Sequence, residues 1–313
     1  MNQDQRSALV LLNPAARRGR GKYCYDKVHS VIAANYESQL VELDSRGDWK
    51  EAVHSALLAG VRVFIAAGGD GTVNSLATTL VTLRGVTPLA EITIGAVGIG
   101  SSNDFHKPVA ARSNGLPIRI NLARSSWRDI GRACYTDENG QLQERYFLVS
   151  ASLGVTAAAN GFFNHPDNWL SWLKRWWVQG AIVYAAIVTI ARHQNLPAVL
   201  QIASETRPLE LSNLSVMKTP YLSGSFRYDT PVEPDNGLLA VNLCSGMTRC
   251  GILQLLWHLA CGRFTGLPGT WHWLAPKVTV ELERSVDLEL DGEVFLARSA
   301  SFDILTEQLR VCG

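Results

Sequence analysis

The sequence predicts an α/β fold for residues 1–130, a doubly wound parallel sheet flanked by helices, followed by a β-rich domain over residues 131–313. Three observations support this prediction. Apolar strands alternate with helical segments as far as about residue 130, glycine-rich segments follow two of these strands, and short strands separated by turn residues dominate the remainder. Alternation of this kind is typical of a parallel sheet, whereas closely spaced short strands are typical of an all-β domain.

The composition is that of an ordinary globular protein with little net charge. The 313 residues are 47% hydrophobic and 18% charged, and the formal net charge is +1. This length is sufficient for two domains. The small net charge gives no electrostatic reason to expect nucleic acid as a partner. Because the first residues lack a signal-peptide pattern, we expect a cytoplasmic protein.

The first predicted strand, residues 8–12, ends at Asn13 and is followed by a basic, glycine-containing loop over residues 14–22. Such a loop can bind phosphate, and a solvated basic loop is the alternative. We predict helices over residues 25–34 and 49–59 and a strand over residues 38–43. The pattern leads to a buried strand over residues 61–66.

A glycine-rich string follows that strand and precedes a segment with the apolar spacing of a helix. Its candidate ligand-binding residues are Gly68, Gly69, Asp70, Gly71, Thr72 and Asn74. Glycines let backbone N–H groups approach a ligand closely, and a helix N-terminus favours phosphate. A carboxylate beside phosphate requires a bridging divalent cation or a hydroxyl partner, which suggests phosphoryl transfer. The alternative is a plain turn with Asp70 as the helix N-cap.

A second glycine-rich segment, residues 98–105, follows the predicted strand 92–97. Asn103 and Asp104 could bond ribose hydroxyls or a metal-bound water, Ser101 supplies a further hydroxyl, and an Asx-rich turn is the alternative. Ligands of parallel sheets bind at the carboxyl ends of the strands, so we expect both glycine segments at one sheet edge.

Residues 68–72, Gly-Gly-Asp-Gly-Thr, resemble the signature of the diacylglycerol kinase catalytic-domain family, whose wider clan includes NAD kinases and 6-phosphofructokinases. The resemblance implies an α/β nucleotide domain, a sandwich-like β-rich domain and an active site in the cleft between them, with the C-terminal tail packing back on the first domain. It also implies ATP and Mg²⁺ as cofactors and a diacylglycerol-like lipid hydroxyl as acceptor. A kinase of a soluble hydroxyl compound or nucleotide and a non-catalytic lipid-binding relative are the alternatives.

The resemblance extends to Asp291-Gly292-Glu293, which follows a predicted strand near the end of the chain. Family members carry Asp-Gly-Glu near the transferred phosphate, so Asp291 and Glu293 are candidate catalytic bases, with Asp70 as the third catalytic candidate. A hairpin turn is the alternative, since Asp-Gly alone is a strong turn signal.

Residues 236–239 resemble a family block in which an aspartate helps to hold a structural Mg²⁺. Here that position is Asn236, and Asp235, Asn236 and Leu238 are the candidate metal ligands. Mg²⁺ prefers charged oxygen ligands, so we expect this metal site to be weak or absent.

The segment over residues 169–193 predicts a helix within the second domain. Its uncharged core is too short to span a bilayer. Seven of the nine tryptophans fall in two clusters of the second domain, at positions 169, 172, 176, 177, 257, 271 and 273. Tryptophan beside Lys or Arg is typical of a membrane interface, so we expect peripheral membrane contact, with core packing as the alternative. The sequence indicates no particular oligomeric state.

Overall fold

The computed structural model describes residues 6–44, 47–164 and 167–313. The chain divides into two compact units. The first contains the residues up to Ile130 together with Leu305–Gly313, and the second is Gly131–Ile304. The second unit therefore ends short of residue 313, because the last strand of the chain belongs to the sheet of the first unit.

The elements follow one another as α/β units first and antiparallel strands later. The first unit begins with β1 Arg6–Leu12, α1 Ala16–Gly19, α2 Gly21–Asp26, α3 His29–Ala33, β2 Tyr36–Glu42, α4 Asp48–Leu58, β3 Val63–Gly68, α5 Asp70–Thr82, β4 Thr93–Gly98, β5 Arg112–Ser113, β6 Leu116–Arg119 and β7 Ser126–Arg128. The second unit contains β8 Gly131–Thr136, β9 Leu142–Phe147, β10 Ser150–Gly154, α6 Val155–Asn164, α7 Asn168–Trp176, α8 Val178–Arg192, β11 Leu196–Ile202, β12 Glu205–Met217, β13 Tyr221–Leu222, β14 Phe226–Arg227, β15 Leu239–Ser245, α9 Arg249–Ala260, β16 Thr270–Ala275, β17 Lys277–Leu290 and β18 Glu293–Ile304. The chain then returns to the first unit with β19 Leu309–Val311.

The first unit is built on a sheet with the strand order β2-β1-β3-β4-β19-β7. The pairs β2/β1, β1/β3, β3/β4 and β4/β19 are parallel, whereas β7 is antiparallel to β19. This confirms the predicted α/β class of the first unit. On one face, alternate residues of β1 pack against Tyr25, Val28 and Ile32 from α2, α3 and the turn between them.

The register of the sheet brings three loops to one edge. Leu12 pairs with Ala67 between β1 and β3, and Gly68 pairs with Gly98 between β3 and β4. These three parallel strands therefore end at the same level, and the segments that leave them start side by side.

The second unit contains an antiparallel sheet with the order β16-β15-β12-β10-β17-β18-β8-β9. In addition, β11 pairs with both β12 and β17. The strands enclose an apolar core to which Phe147, Leu214, Val241, Val280 and Phe302 contribute, each essentially inaccessible to solvent. The predicted β-rich fold of the second unit is confirmed.

The helices of the second unit differ from the sequence-based prediction. The single helix predicted over residues 169–193 is two helices, α7 and α8, because Trp177 adopts an extended conformation between them. Two further helices, α6 and α9, were not predicted. In the described part of the chain, no helix is long and apolar enough to cross a bilayer.

Two predicted elements are divided in the structure. The helix predicted over residues 25–34 is the pair α2 and α3, joined by a short turn. Residues 145–150, which the sequence pattern predicts as one of the short strands of the second domain, are divided between β9 and β10. At that interruption the backbone N–H groups of Leu148, Val149 and Ser150 donate to the carboxylate of Asp291, which fixes a local geometry that strand patterning does not encode.

Candidate functional site

Two glycine loops lie in direct backbone contact at the carboxyl edge of the first unit's sheet. Ile99 and Gly100 both donate their N–H groups to the carbonyl of Gly68, at 2.7 and 3.2 Å. A Cβ atom on Gly100 would lie 2.5 Å from the Cα of Gly69, so glycine is required at position 100 for this close approach. Gly68 is also confined, because a Cβ there would lie 2.1 Å from Oγ1 of Thr72.

Asp70 joins the two glycine loops through its carboxylate. Its Oδ2 accepts a hydrogen bond from the N–H of Asp104 at 3.0 Å, and its Oδ1 accepts from the N–H of Phe105 at 2.9 Å. Helix α5 begins at Asp70 with Gly69 as its N-cap. The alternative role of Asp70 as the N-cap is therefore wrong, since its side chain holds the neighbouring loop instead.

The second glycine loop is further ordered by its own side chains. Asn103 has a left-handed backbone with φ 51°, and its Oδ1 accepts from the N–H of Gly100 while its Nδ2 donates to the Gly100 carbonyl. Asp104 is buried, and its Oδ1 lies 2.6 Å from Nζ of Lys107. Ser101 is exposed at the tip. Of the three candidates, the hydroxyl of Ser101 is therefore the most accessible to a ligand.

The start of the chain contributes Asn13 to the same edge. Its Nδ2 donates to Oγ1 of Thr72 at 3.3 Å, and its Oδ1 accepts from the N–H of Ala15. The candidate residues Asn13 and Thr72, 59 positions apart, are thus in contact. Asn74 lies within α5 and is buried, and its Oδ1 accepts from the hydroxyl of Thr78.

The basic loop after Asn13 has an unusual backbone. Arg17 and Arg18 are consecutive non-glycine residues with left-handed conformations, at φ 52° and 63°. Both side chains are exposed. Such a backbone is costly for side chains other than Gly, Asn and Asp, so this segment is a local departure from regular helix next to the glycine loops.

The second unit carries the Asp-Gly-Glu turn, in which the two carboxylates differ sharply. Asp291 is buried, has a left-handed backbone with φ 49°, and accepts from three backbone N–H groups at 2.7 to 2.9 Å. At least three of the roughly four lone-pair directions of this carboxylate are therefore occupied by protein. Glu293 is exposed. Partial desolvation and the negative charge of Asp291 raise the pKa of Glu293, against the opposing effect of Arg145.

A third carboxylate beside this turn was not identified from the sequence. Glu289 is buried, accepts from the hydroxyl of Ser152 at 2.6 Å, and accepts from the N–H of Gly292 at 2.6 Å. It therefore fixes the glycine of the turn. Its neighbours Leu288 and Leu290 belong to the apolar core, so Glu289 lies on the opposite face of β17, where strand alternation predicts an exposed residue.

His106 is a second residue that sequence analysis missed. It is buried next to the second glycine loop, and burial, with a further contribution from the charge of Arg119, lowers its pKa to about 3. Within the described residues, neither of its ring nitrogens has a hydrogen-bond partner. We therefore expect a neutral imidazole throughout the physiological range.

The residues around position 236 do not fit the structural Mg²⁺ that the resemblance implies. The carbonyl of Leu238 accepts a hydrogen bond from Nζ of Lys218 at 2.9 Å, and Oδ1 of Asn236 accepts from the N–H of Leu238. A Mg²⁺ about 2.1 Å from the Leu238 oxygen would lie within about 5 Å of the ammonium, where repulsion costs several kcal/mol even at an effective dielectric constant of about 20. Over the described ranges, no group of three or more His, Cys, Asp or Glu side chains could hold a metal ion.

Both units match known protein families. Residues 7–130 match the diacylglycerol kinase catalytic domain, and residues 150–313 match the YegS C-terminal NAD kinase beta sandwich-like domain. The chain belongs to the diacylglycerol kinase catalytic-domain family. This confirms the resemblance that residues 68–72 indicated.

Curated relatives are similar over part of their length. The diacylglycerol kinase of Bacillus subtilis (strain 168) is 29% identical over 149 residues, which are 47% of this chain and 45% of that protein. The Salmonella arizonae protein named "probable lipid kinase YegS" is 38% identical over 79 residues, 25% of this chain and 23% of that protein. The alignments thus span less than half of these relatives.

Solved structures are similar to this chain over nearly its whole length. A diacylglycerol kinase of Bacillus anthracis str. Sterne superposes with a TM-score of 0.67 at 17% identity, covering 100% of this chain and 98% of that one. Yeast NADH kinase, solved with NADH, gives a TM-score of 0.50 at 10% identity, covering 99% and 84%. At these identities the likeness shows the fold alone.

The contact between the glycine loops predicts the effect of one added methyl group. Gly100→Ala should lower the free energy of unfolding by about 1–3 kcal/mol, since its Cβ overlaps Gly69 and relief requires backbone movement. The matched control is Gly85→Ala, because a Cβ on Gly85 has no heavy atom within 4 Å. Chemical denaturation measures both variants, and equal stability of the two would contradict the close approach.

Proposed function

We propose that this protein is an ATP-dependent lipid kinase that transfers the γ-phosphoryl group of ATP to the hydroxyl of a diacylglycerol-like lipid. One observation carries the proposal: the Asp70 carboxylate joins two glycine loops at the carboxyl edge of a parallel sheet. Phosphoryl transfer depends mainly on positioning and electrostatic stabilisation, which such a rigid arrangement of backbone groups can provide.

The first unit would bind the nucleotide. The 13-residue helix α5 points its N-terminus to this edge, and its partial positive charge favours the phosphates. Gly68, Gly69, Gly71 and Thr72 would surround the phosphates, while Ser101, Asn103 and Asp104 would lie towards the ribose or a metal-bound water. Mg²⁺ would arrive with ATP as part of the substrate.

Of the two candidate bases, the contacts favour Glu293. A general base needs a carboxylate that can reach the acceptor hydroxyl and that retains some affinity for a proton. Asp291 holds three backbone N–H groups, which suits it to fixing the turn. Glu293 is exposed, and its raised pKa moves it towards the range in which a carboxylate accepts a proton effectively. We therefore assign the proton acceptor to Glu293 and a positioning role to Asp291.

This assignment predicts opposite effects of two amide substitutions. Glu293→Gln should lower kcat by about 10²–10⁴-fold, as is typical for loss of a general base. Its melting temperature at neutral pH should stay unchanged or rise, because a raised carboxyl pKa means that the folded state disfavours the charged form. Asp291→Asn should instead lower the melting temperature, since three N–H groups lose a charged acceptor.

Transfer of labelled phosphate from ATP to diacylglycerol in mixed micelles measures activity, and thermal unfolding measures stability. The wild-type rate should fall on the acid side at a pH above that of an ordinary glutamate, and Glu293→Gln should lose this limb. Full activity of Glu293→Gln would contradict the assignment. Transfer only to soluble hydroxyl compounds would favour the soluble-substrate kinase.

An exposed aromatic surface on the second unit supports a lipid as the acceptor. Trp169, Trp172 and Trp176 recur at helical spacing on α7, and 68%, 54% and 68% of their surfaces are exposed. The opposite side of the helix packs through Leu170, which is fully buried. Three exposed indoles on one helix favour the headgroup boundary of a bilayer, where the ring is partly buried and its N–H remains hydrated.

Other exposed apolar residues lie on the helices α8 and α9 of the same unit. Val183 and Ile187 on α8 and Leu253 and Trp257 on α9 are each at least half exposed. Helices α8 and α9 are in contact. Arg175 supplies an exposed cation, whereas the Nζ of Lys174 donates to the carbonyl of Phe163 and is partly desolvated, which lowers its pKa.

The second tryptophan cluster, at positions 257, 271 and 273, contains both exposed residues that suit membrane contact and a residue that packs in the core. Trp257 is 72% exposed, whereas Trp273 packs against the sheet core. Trp271 lies beneath the guanidinium of Arg207, 5.7 Å from its ring centroid. The membrane proposal therefore rests on α7 and on Trp257.

The membrane proposal predicts that Trp169→Ala/Trp176→Ala loses binding to vesicles. Wild type should co-sediment with anionic vesicles of phosphatidylglycerol and phosphatidylcholine. The double variant should bind at least about tenfold less, since it lacks two indoles that would be buried in the membrane interface. Trp177 is left in place because its ring packs against Gly180. The control Trp127→Ala removes an exposed indole of the first unit and should bind as wild type. Absence of wild-type binding would contradict membrane contact.

A further inference from the structure

A buried lysine lies at the position where the family resemblance places a metal ion. Lys218 follows β12, and only 1% of its surface is exposed. Its Nζ donates to the carbonyl of Glu233 at 3.0 Å and to the carbonyl of Leu238 at 2.9 Å. The ammonium group thus binds both ends of the loop over residues 233–238. A buried ammonium is costly unless acceptors surround it, so these contacts are an essential part of the local structure.

The loop has the features of a cation site, but the cation it surrounds is a monovalent ammonium and not a divalent metal ion. Leu238 and Asn236 are two of the three candidate metal ligands, and both are engaged within the protein: the Leu238 carbonyl by Lys218, and Oδ1 of Asn236 by the N–H of Leu238. Asn in place of Asp removes one negative charge. An ammonium in place of Mg²⁺ removes one positive charge, so the two differences compensate each other.

We propose that the Lys218 ammonium replaces the structural Mg²⁺ of the family and makes this loop independent of metal. Carbonyl oxygens bind Mg²⁺ at about 2.1 Å and an ammonium at about 2.9 Å, so one loop can close on either cation with a small adjustment. The covalent tether keeps Lys218 at the site at any metal concentration. Any requirement of the reaction for Mg²⁺ would then come from the nucleotide alone.

The lysine also connects this loop to the Asp-Gly-Glu turn. The backbone N–H of Lys218 donates to the carbonyl of Val149 at 2.9 Å, and the N–H of Val149 donates to Oδ1 of Asp291 at 2.9 Å. Lys218 is therefore a positioning residue, whose two ends hold the 233–238 loop and the segment that Asp291 organises. This inference does not depend on the proposed reaction, and it can be tested without an activity assay.

The first test uses the protein without nucleotide. The change in melting temperature between EDTA and millimolar Mg²⁺, at equal ionic strength, should be the same for wild type and for Asn236→Ala. The variant serves as the reference because Mg²⁺ bound elsewhere affects both proteins equally. A wild-type shift that Asn236→Ala abolishes would place a metal at this loop and overturn the proposal.

The second test removes the ammonium. Lys218→Met should lower the melting temperature by at least about 4 °C, because two buried carbonyls lose their donor. Lys277→Met, at an exposed position of the same unit, is the matched control and should be near wild type. Lys218→Met/Asn236→Asp should gain a Mg²⁺-specific rise in melting temperature that wild type lacks. Equal stability of Lys218→Met and Lys277→Met, or no Mg²⁺ response of the folded double variant, would contradict the proposal.

Discussion

The first unit depends on the hydrogen bonds from the N–H groups of Asp104 and Phe105 to the carboxylate of Asp70. Two charge-assisted hydrogen bonds of this kind contribute about 1.5–3 kcal/mol each, and their partners are more than 30 positions apart. They fix the second glycine loop against the first, where Gly69 and Gly100 are in backbone contact. Without this interaction, the parallel strands would still end at one edge and Ile99 and Gly100 would still donate to the carbonyl of Gly68, but residues 103–105 would lose their anchor to the first glycine loop.

In the second unit, buried charges of both signs likewise fix backbone segments through hydrogen bonds. Asp291 binds three consecutive backbone N–H groups between β9 and β10, and Lys218 binds two carbonyls of the 233–238 loop. Each buried charge is compensated by peptide dipoles rather than by an opposite side chain alone. These charges therefore determine backbone positions around the turn, whereas Glu293, the proposed proton acceptor, is exposed.

The sequence predicted much of this fold because its signals are local. Apolar strands, glycine strings and turn residues predicted the α/β class of the first unit, the β-rich class of the second and the position of both glycine segments at one sheet edge. The roles of charged residues were harder to predict, because they depend on distant partners. The pattern around Asp70 indicated a ligand-binding residue, with a helix N-cap as the alternative, and did not reveal that its carboxylate accepts from the N–H groups of residues 104 and 105. Lys218 gave no signal, since its acceptors follow 15 and 20 positions later. The break at Trp177 and the helix α9 were missed because apolar spacing alone does not determine where a helix ends or whether a short one forms.

The most direct test of this account is amide hydrogen exchange of Asp70→Ala, with Asp26→Ala as an exposed carboxylate control. We predict faster exchange of the Asp104 and Phe105 amides by at least about tenfold, which corresponds to about 1.4 kcal/mol of lost protection. Exchange in the strands β1, β3 and β4 should be unchanged, and phosphoryl transfer should be lost. Unchanged exchange at Asp104 and Phe105, or full transfer activity in Asp70→Ala, would contradict the central role of this carboxylate.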